Sequence, residues 1–227
     1  FHVVNQAEVP TRFFIDERSN STRGIRLTDH FLTVREGFQY RNLPAEVEAR
    51  WRLVETAWEL KLPRHVLAVT YDSDDGFLVV EADAQHRRPI TGTRGALNGY
   101  QKGKCFYCQR DVAVDHMDVD HFLPHILLPQ LVVPNIDGIW NLVLACAPCN
   151  RGPAGKFTRL PQVRFLERLH ERNEYLVASH HPLRETLMLQ TGVHEPARRA
   201  FLQAAWNEAH DLLIHTWTPD AEVAPQA

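Results

Sequence analysis

Cys105-Phe106-Tyr107-Cys108 and Cys146-Ala147-Pro148-Cys149-Asn150 carry all four cysteines of this 227-residue chain, in two C-x-x-C pairs. Between them lies Val119-Asp120-His121. A C-x-x-C turn presents two thiolates to one ion at tetrahedral angles. Two such turns close a four-sulfur shell, so the pattern predicts a structural Zn²⁺ on Cys105, Cys108, Cys146 and Cys149. Folding of this region is then tied to the metal. A pair of disulfides would require an oxidising compartment, which nothing in the sequence indicates. A redox dithiol would need one pair only, in a βαβ context. The intervening residues 109–145 exceed a simple zinc ribbon, and they hold the other candidate residues.

Working outward, Val112–Val114 and Met117–Val119 read as strand leading into Asp120-His121, and Pro124 stops regular pairing. Ile139–Leu144 is a β-rich run after the turn signal Asp137-Gly138. A helix is expected to begin at the second cysteine pair. The local arrangement is therefore hairpin plus helix, with Asp120 on the hairpin and Asn150 at the helix start.

C-x-x-C, then D-H, then Asn141 in an N-L-V-L-type strand, then C-x-x-C-N resembles the HNH, or ββα-metal, endonuclease superfamily in its zinc-containing form. The resemblance covers residues 105–156, under a quarter of the chain. The flanks Asn98–Lys104 and His180–Thr186 resemble bacterial HNH proteins of restriction or antiphage defence. The resemblance implies an α+β fold with an HNH core at residues 91–160, a mixed α/β region at 1–90 for recognition or docking, and packed helices at 161–227. It implies a DNA endonuclease that hydrolyses phosphodiesters with His121 as general base. Asp120 and Asn150 would be hard ligands for Mg²⁺ or Mn²⁺, and Asn141 would orient the His121 loop. Asn150 stands where the family name has its last His, which puts the metal preference in doubt. A helix N-cap is the simpler role for Asn150, and strand-end hydrogen bonding the simpler one for Asn141. Arg151 and Lys156 are placed to grip flanking phosphates. His116 and His125 read as surface histidines, and Asp118 as alternating outward. Two other readings stand: a zinc-stapled nucleic-acid-binding module that does not cut, and an RNA-directed nuclease toxin.

Hydrophobic content of 44% and charged content of 23% describe an ordinary globular chain. No apolar run reaches membrane-spanning length and no secretory signal opens the chain, so a cytoplasmic protein without a membrane partner is expected. The first residue, Phe1, suggests a fragment or a processed product. Net charge is -3, so binding to DNA, or to a recruiting protein or larger defence complex, must rest on local patches. Arg87, Arg88, Arg94, Lys102, Lys104, Arg151, Lys156, Arg159, Arg164, Arg168 and Arg172 cluster around the cysteines. They form either a basic groove or a solvated face in which Glu167, Glu171 and Glu174 pair with the arginines along one helix.

Elsewhere, Arg12–Ile15 and Gly24–Leu27 read as strands around a polar turn, with a short helix from Thr28-Asp29. Pro44 opens a helix over 45–60 whose stripe Val47, Trp51, Val54, Trp58 is expected in the core. Residues 66–71 and 77–80 read as a hairpin, 81–90 as a connector, and 94–101 as a helix capped by Thr91 or Thr93. Three helices follow, from Pro161 to about 177, over 183–190, and from Pro196 to about 215. The tail from Pro219 is expected to fray.

Overall fold

The computed structural model describes residues 3–4, 7–8, 11–21, 23–59, 69–83, 86–127 and 135–220. Contacts divide the chain into two compact units, Phe1–Pro44 and Ala45–Ala227. The boundaries expected near residues 90 and 160 fall inside the second unit.

The first unit holds two antiparallel ribbons. β1 (Val3–Val4) pairs with β2 (Ala7–Glu8), and β3 (Phe14–Glu17) with β4 (Gly24–Leu27). Arg18 on Asp16 and Arg26 on Glu17 close the turn of the second ribbon. α1 (Asp29–Glu36) follows at once. Its expected starter, Thr28, makes no side-chain cap and donates its hydroxyl to the Arg12 carbonyl instead.

In the second unit, α2 (Leu43–Glu59) starts two residues before the boundary. β5 (Val69–Asp72), β6 (Phe77–Asp83) and β7 (His86–Gly92) form an antiparallel meander. Residues 66–68 of the expected hairpin lie outside the described residues. The expected connector over 81–90 is instead the end of β6 and most of a third strand. Register shifts at Leu78/Val79 and Glu81/Asp83 absorb Pro89, a residue that regular pairing disfavours, and this masks the strand in the sequence. α3 (Thr93–Gln101) begins with Thr93 in its first turn rather than as a cap.

β8 (Met117–His121) and β9 (Leu142–Cys146) pair antiparallel, and α4 (Ala147–Arg151) continues directly from β9. All of β9 is buried, and it forms the centre of the core with Trp140, Phe106 and Phe122. α5 (Arg164–Ala178), α6 (Arg184–Thr191) and α7 (Glu195–Leu213) pack on one another beside it. A short parallel pairing of β10 (Leu160–Pro161) with β11 (Thr216–Trp217) returns the chain to the cysteine region. Trp217 packs edge-on to Tyr107, with ring centroids 5.1 Å apart. The part of the expected frayed tail beyond residue 220 lies outside the described residues.

The tryptophan stripe of α2 is not in the core. Val47, Trp51 and Trp58 are 63%, 49% and 54% exposed, while Ala49, Leu53, Thr56 and Ala57 are buried. Close approach to α3 decides this. A Cβ on Gly95 would lie 2.8 Å from the Ala45 carbonyl oxygen and 3.1 Å from the Ala49 Cβ. Small residues let the two helix backbones come together, and the bulky indoles are turned outward. Gly95→Val is accordingly expected to cost roughly 1–3 kcal/mol in urea unfolding, and Trp58→Ala to stay within about 1 kcal/mol. A larger loss for Trp58→Ala than for Gly95→Val would contradict this packing.

Candidate functional site

The four cysteines are free, buried and clustered, with all four sulfurs within 4.8 Å of one another. The Cys108 and Cys146 sulfurs are 3.8 Å apart. A tetrahedral ion with metal–sulfur bonds of about 2.3 Å spaces its ligands by about 3.8 Å. Donor type, number and spacing therefore fit one tetrahedral thiolate-bound metal. Hydrogen bonds among the sulfurs, that from Cys105 first, draw the Cys146 thiol down to about 7, while contact with Cys108 pushes Cys105 up. Four thiolates at these separations need a cation between them.

Backbone and side-chain contacts bind the first cysteine turn to β9. The Phe106 N–H donates to the Leu144 carbonyl (2.9 Å), and the Cys146 N–H to the Cys105 sulfur (3.4 Å). Gln101 acts as one more strand residue. Its amide donates to the Leu144 carbonyl (2.7 Å) and accepts from the Leu144 N–H (2.8 Å). From the other side, Arg168 donates to the carbonyls of Phe106 (2.7 Å) and Tyr107 (3.0 Å).

Asp120 and His121, neighbours at the end of β8, face different partners. Asp120 is buried. Its Oδ1 takes the Lys156 ammonium at 3.0 Å, and its Oδ2 takes the Tyr107 hydroxyl at 2.6 Å. Burial, then the Asp120 charge, pushes the Tyr107 phenol well above its usual range, so the phenol stays a donor. Lys156 was expected to hold a flanking phosphate. It is instead 0% exposed, and its ammonium is surrounded by Asp120, the His121 carbonyl (2.8 Å) and the Phe157 carbonyl (3.3 Å). All three of its donors are spent inside the protein.

His121 places Nε2 2.9 Å from Asp137 Oδ1, with His125 Nε2 3.5 Å from the same oxygen. The Tyr71 ring lies 5.7 Å from the imidazole, and the Tyr71 N–H fixes the Asp137 carbonyl at 3.1 Å. An ionised carboxylate only accepts, so in the neutral imidazole the proton belongs on Nε2 and the lone pair on Nδ1. Asp137 went unnoticed in the sequence because Asp-Gly is ordinary turn chemistry. Its one signal is its place four residues before Asn141.

Asn141 is fully buried and holds both segments. Its Oδ1 accepts the Leu123 N–H (2.7 Å), and its Nδ2 donates to the carbonyls of Leu123 (3.0 Å) and Ile136 (2.9 Å). It thus joins the chain just after His121 to the chain just before Asp137. It ends a 3-10 turn, Ile139–Asn141, rather than sitting in a strand. Arg172, fully buried and with no carboxylate on it among the described residues, donates to the carbonyls of Ile139, Trp140 and Leu142 around that turn. Burial lowers its pKa to about 9, so it remains a cation.

Asn150 is the fourth residue of α4, not its cap; Cys146 takes that position. The Asn150 amide donates to Asp118 Oδ2 (3.1 Å), and Arg151 also donates to this carboxylate (2.8 Å). Burial works to raise the Asp118 carboxyl, but the hydrogen bonds of Arg151 and Asn150 leave it below its usual range. Asp118 was expected to point outward; it faces α4 on the same side of the strand as Asp120. Lys156 thus bridges the Asp120 carboxylate and the His121 main-chain carbonyl, while the His121 ring is bonded to Asp137 and the Asn150 side chain to Asp118. Among the described residues, no second set of three or more His, Cys, Asp or Glu side chains comes as close as the cysteines.

Of the basic residues around the cysteines, Arg151 is exposed, and the side chains of Arg87 and Arg88 lie outside the described residues. Arg94, Arg159, Arg168 and Arg172 donate to backbone carbonyls. Glu167 and Glu174 pair across to Arg199 and Arg198 on α7, not along their own helix. Lys102, Lys104 and Arg168 do line one cleft of about 480 Å³ with Tyr100 and Tyr175.

No family model, no curated protein and no solved structure matches the chain. No described helix is long and apolar enough to cross a membrane.

Two outcomes are expected. Elemental analysis of the purified chain gives one zinc per molecule, and Cys149→Ser loses it together with a large share of thermal stability, because ion-bound sulfurs carry folding free energy. Lys156→Met leaves the Asp120 carboxylate buried and unpaired, and costs about 3–5 kcal/mol in urea unfolding. A near-neutral Lys156→Met would show that the ammonium is not the buried partner of Asp120.

Proposed function

We propose that this chain is a zinc-stapled, divalent-metal-dependent endonuclease of the HNH type that hydrolyses phosphodiester bonds in DNA, in bacterial defence against foreign DNA. One observation carries the reading. His121 stands at the strand end with Nε2 tied to Asp137, so the lone pair at Nδ1 is free to take a proton from water. Asn141 supports that geometry by binding the segments on both sides. The zinc is structural and closes its own shell.

The oxygens that would hold a second ion are the Asp120 carboxylate, which would exchange Lys156 or Tyr107 for it, and the Asn150 amide, with Asp118 beside Asn150. Their chemistry fits Mg²⁺ or Mn²⁺. Bound there, the ion would supply positive charge to the phosphoryl oxygens and to the departing 3′ oxygen. The protein's own part is separate from that charge. Asp137 fixes the ring, His121 accepts the proton, and Arg151, exposed at the end of α4, is available to a phosphate when it leaves Asp118.

A second reading, a module that binds nucleic acid without cutting it, is favoured by one fact: both oxygens of Asp120 already have partners in Lys156 and Tyr107. Plasmid cleavage separates the two. With Mg²⁺ or Mn²⁺ the chain is expected to nick or cut plasmid DNA. His121→Ala is expected to keep zinc and DNA binding and to lose cleavage by about a hundredfold or more. Asp137→Asn is expected to lower kcat about 10–100-fold with KM little changed. Absence of cleavage on plasmid, single-stranded DNA and RNA favours the binding module, and full activity of His121→Ala refutes the base assignment.

A further inference from the structure

Between the end of α3 and α5, Tyr100, Lys102, Lys104, Arg168, Glu171 and Tyr175 line a cleft of about 480 Å³. The turn that ends α3 builds one wall. Lys102 takes a left-handed conformation (φ 48°) and donates its N–H to the Asn98 carbonyl, and the Gly103 N–H donates to the Asn98 side chain at 2.7 Å. The Lys104 N–H returns to the Gln101 carbonyl at 2.8 Å, so both lysines leave one tight, hydrogen-bonded turn. The other wall is α5, where Arg168, Glu171 and Tyr175 follow the three- and four-residue spacing of one helix face. Lys102 and Glu171 are exposed, Tyr175 is 37% exposed, the Lys104 side chain is 33% exposed, and Tyr100 and Arg168 are half-buried. Each of these groups therefore reaches solvent. The Tyr100 and Tyr175 rings lie 5.5 Å apart, tilted by 58° rather than laid face to face. Three cations stand against one lining carboxylate, Glu171, which accepts from the Tyr100 hydroxyl at 3.5 Å. Asp111 meets the Lys104 ammonium at 2.8 Å in an exposed pair. Such a pair contributes little, and an ammonium has two further donors.

We propose that this cleft binds one nucleotide unit, its base against the Tyr100–Tyr175 pair and its phosphate on Lys102 and Lys104. Aromatic surface beside cations is the combination that a base joined to a phosphate requires. Phosphate alone would leave the tyrosines uncovered, and a neutral aromatic ligand would leave the lysines unused. The volume lies within the roughly 300–1,000 Å³ of ordinary small-ligand sites. Bases inside a duplex are already stacked on one another and cannot reach the tyrosines. The ligand is therefore a free nucleotide or an unstacked nucleotide of a single strand. The side-chain amides of the wall are spent inside the protein. Gln101 bonds the Lys104 carbonyl and both backbone groups of Leu144, and Gln109 donates to the carbonyls of Cys105 and Phe106. Stacking and charge, rather than reading of base edges, then set the affinity, and stacking is tolerant of base identity. None of the lining residues belongs to the His121–Asp137 pair or to the cysteine cluster, so the proposal does not rest on the nuclease reading.

The test is calorimetric titration of the whole chain without added Mg²⁺ or Mn²⁺, so that cleavage plays no part. The probes are dAMP, dTMP, deoxyadenosine, inorganic phosphate and the single strand (dT)6. Both mononucleotides are expected to saturate one site with affinities within about tenfold of each other, and deoxyadenosine and phosphate to bind at least about tenfold more weakly. Tyr175→Ala is expected to weaken dTMP about tenfold or more. Lys102→Gln is expected to weaken it as well, and to lower the slope of log affinity for (dT)6 against log salt by about 0.7. Tighter binding of (dT)6 than of dTMP assigns the cleft to a strand, and equal or weaker binding assigns it to a free nucleotide. Absence of saturable binding by both dTMP and (dT)6, deoxyadenosine or phosphate binding as tightly as the nucleotides, or affinities that neither substitution changes would overturn the proposal. The comparison of nucleotide with nucleoside and phosphate needs only the unaltered chain, and stands even where a variant does not fold.

Discussion

Four buried sulfurs lie within reach of one another, at a spacing that one thiolate-bound cation fits. Each thiol is a weak hydrogen-bonding group, and a shared cation would add folding free energy to the cluster. The cluster joins two parts of the chain far apart in sequence. The turn at 105–108 comes from the end of α3, and the turn at 146–149 joins β9 to α4. Once they are joined, β9 has a fixed place, and β8 takes its register from it. His121 then falls at the strand end opposite Leu142.

Polar side chains used as backbone complete the arrangement. Gln101 extends the edge of β9, Asn141 ties 123 to 136, and Arg172 gathers three carbonyls of the turn at 139–142. Each meets the demand that buried backbone groups be paired where no strand is available to pair them. Lys156 plays the same part at the end of β8, with Asp120 as its counter-charge. Framed this way, His121 has its Nε2 committed to Asp137; in the proposed nuclease the other ring nitrogen would take the proton.

Much of this was legible. Two C-x-x-C pairs with no spare cysteine pointed to the cluster, and the three C-terminal helices lie within a few residues of where apolar spacing and proline placed them. The misreadings share one cause. Side-chain type was taken as a guide to environment where geometry decides. Tryptophan suggested core, yet α2 buries Ala49, Leu53, Thr56 and Ala57, and its approach to α3 is set at Gly95. Arginine and lysine suggested a face for nucleic acid, yet Arg172 and Lys156 are interior. Asp137 looked like turn punctuation, and Asp118 like an outward strand residue. No local pattern distinguishes a cation meant for a phosphate from one meant for a carbonyl. That depends on which backbone groups the fold leaves unpaired.

An ion bound by the four sulfurs would be the clamp that fixes β8, β9 and the strand-end histidine. Amide hydrogen exchange on the chain before and after zinc is stripped by a chelator tests this most directly. Protection is expected to be lost together at 105–108, 117–123 and 142–151 when the ion leaves, and to return when zinc is restored. Unchanged protection across those three segments in the zinc-free chain would contradict it.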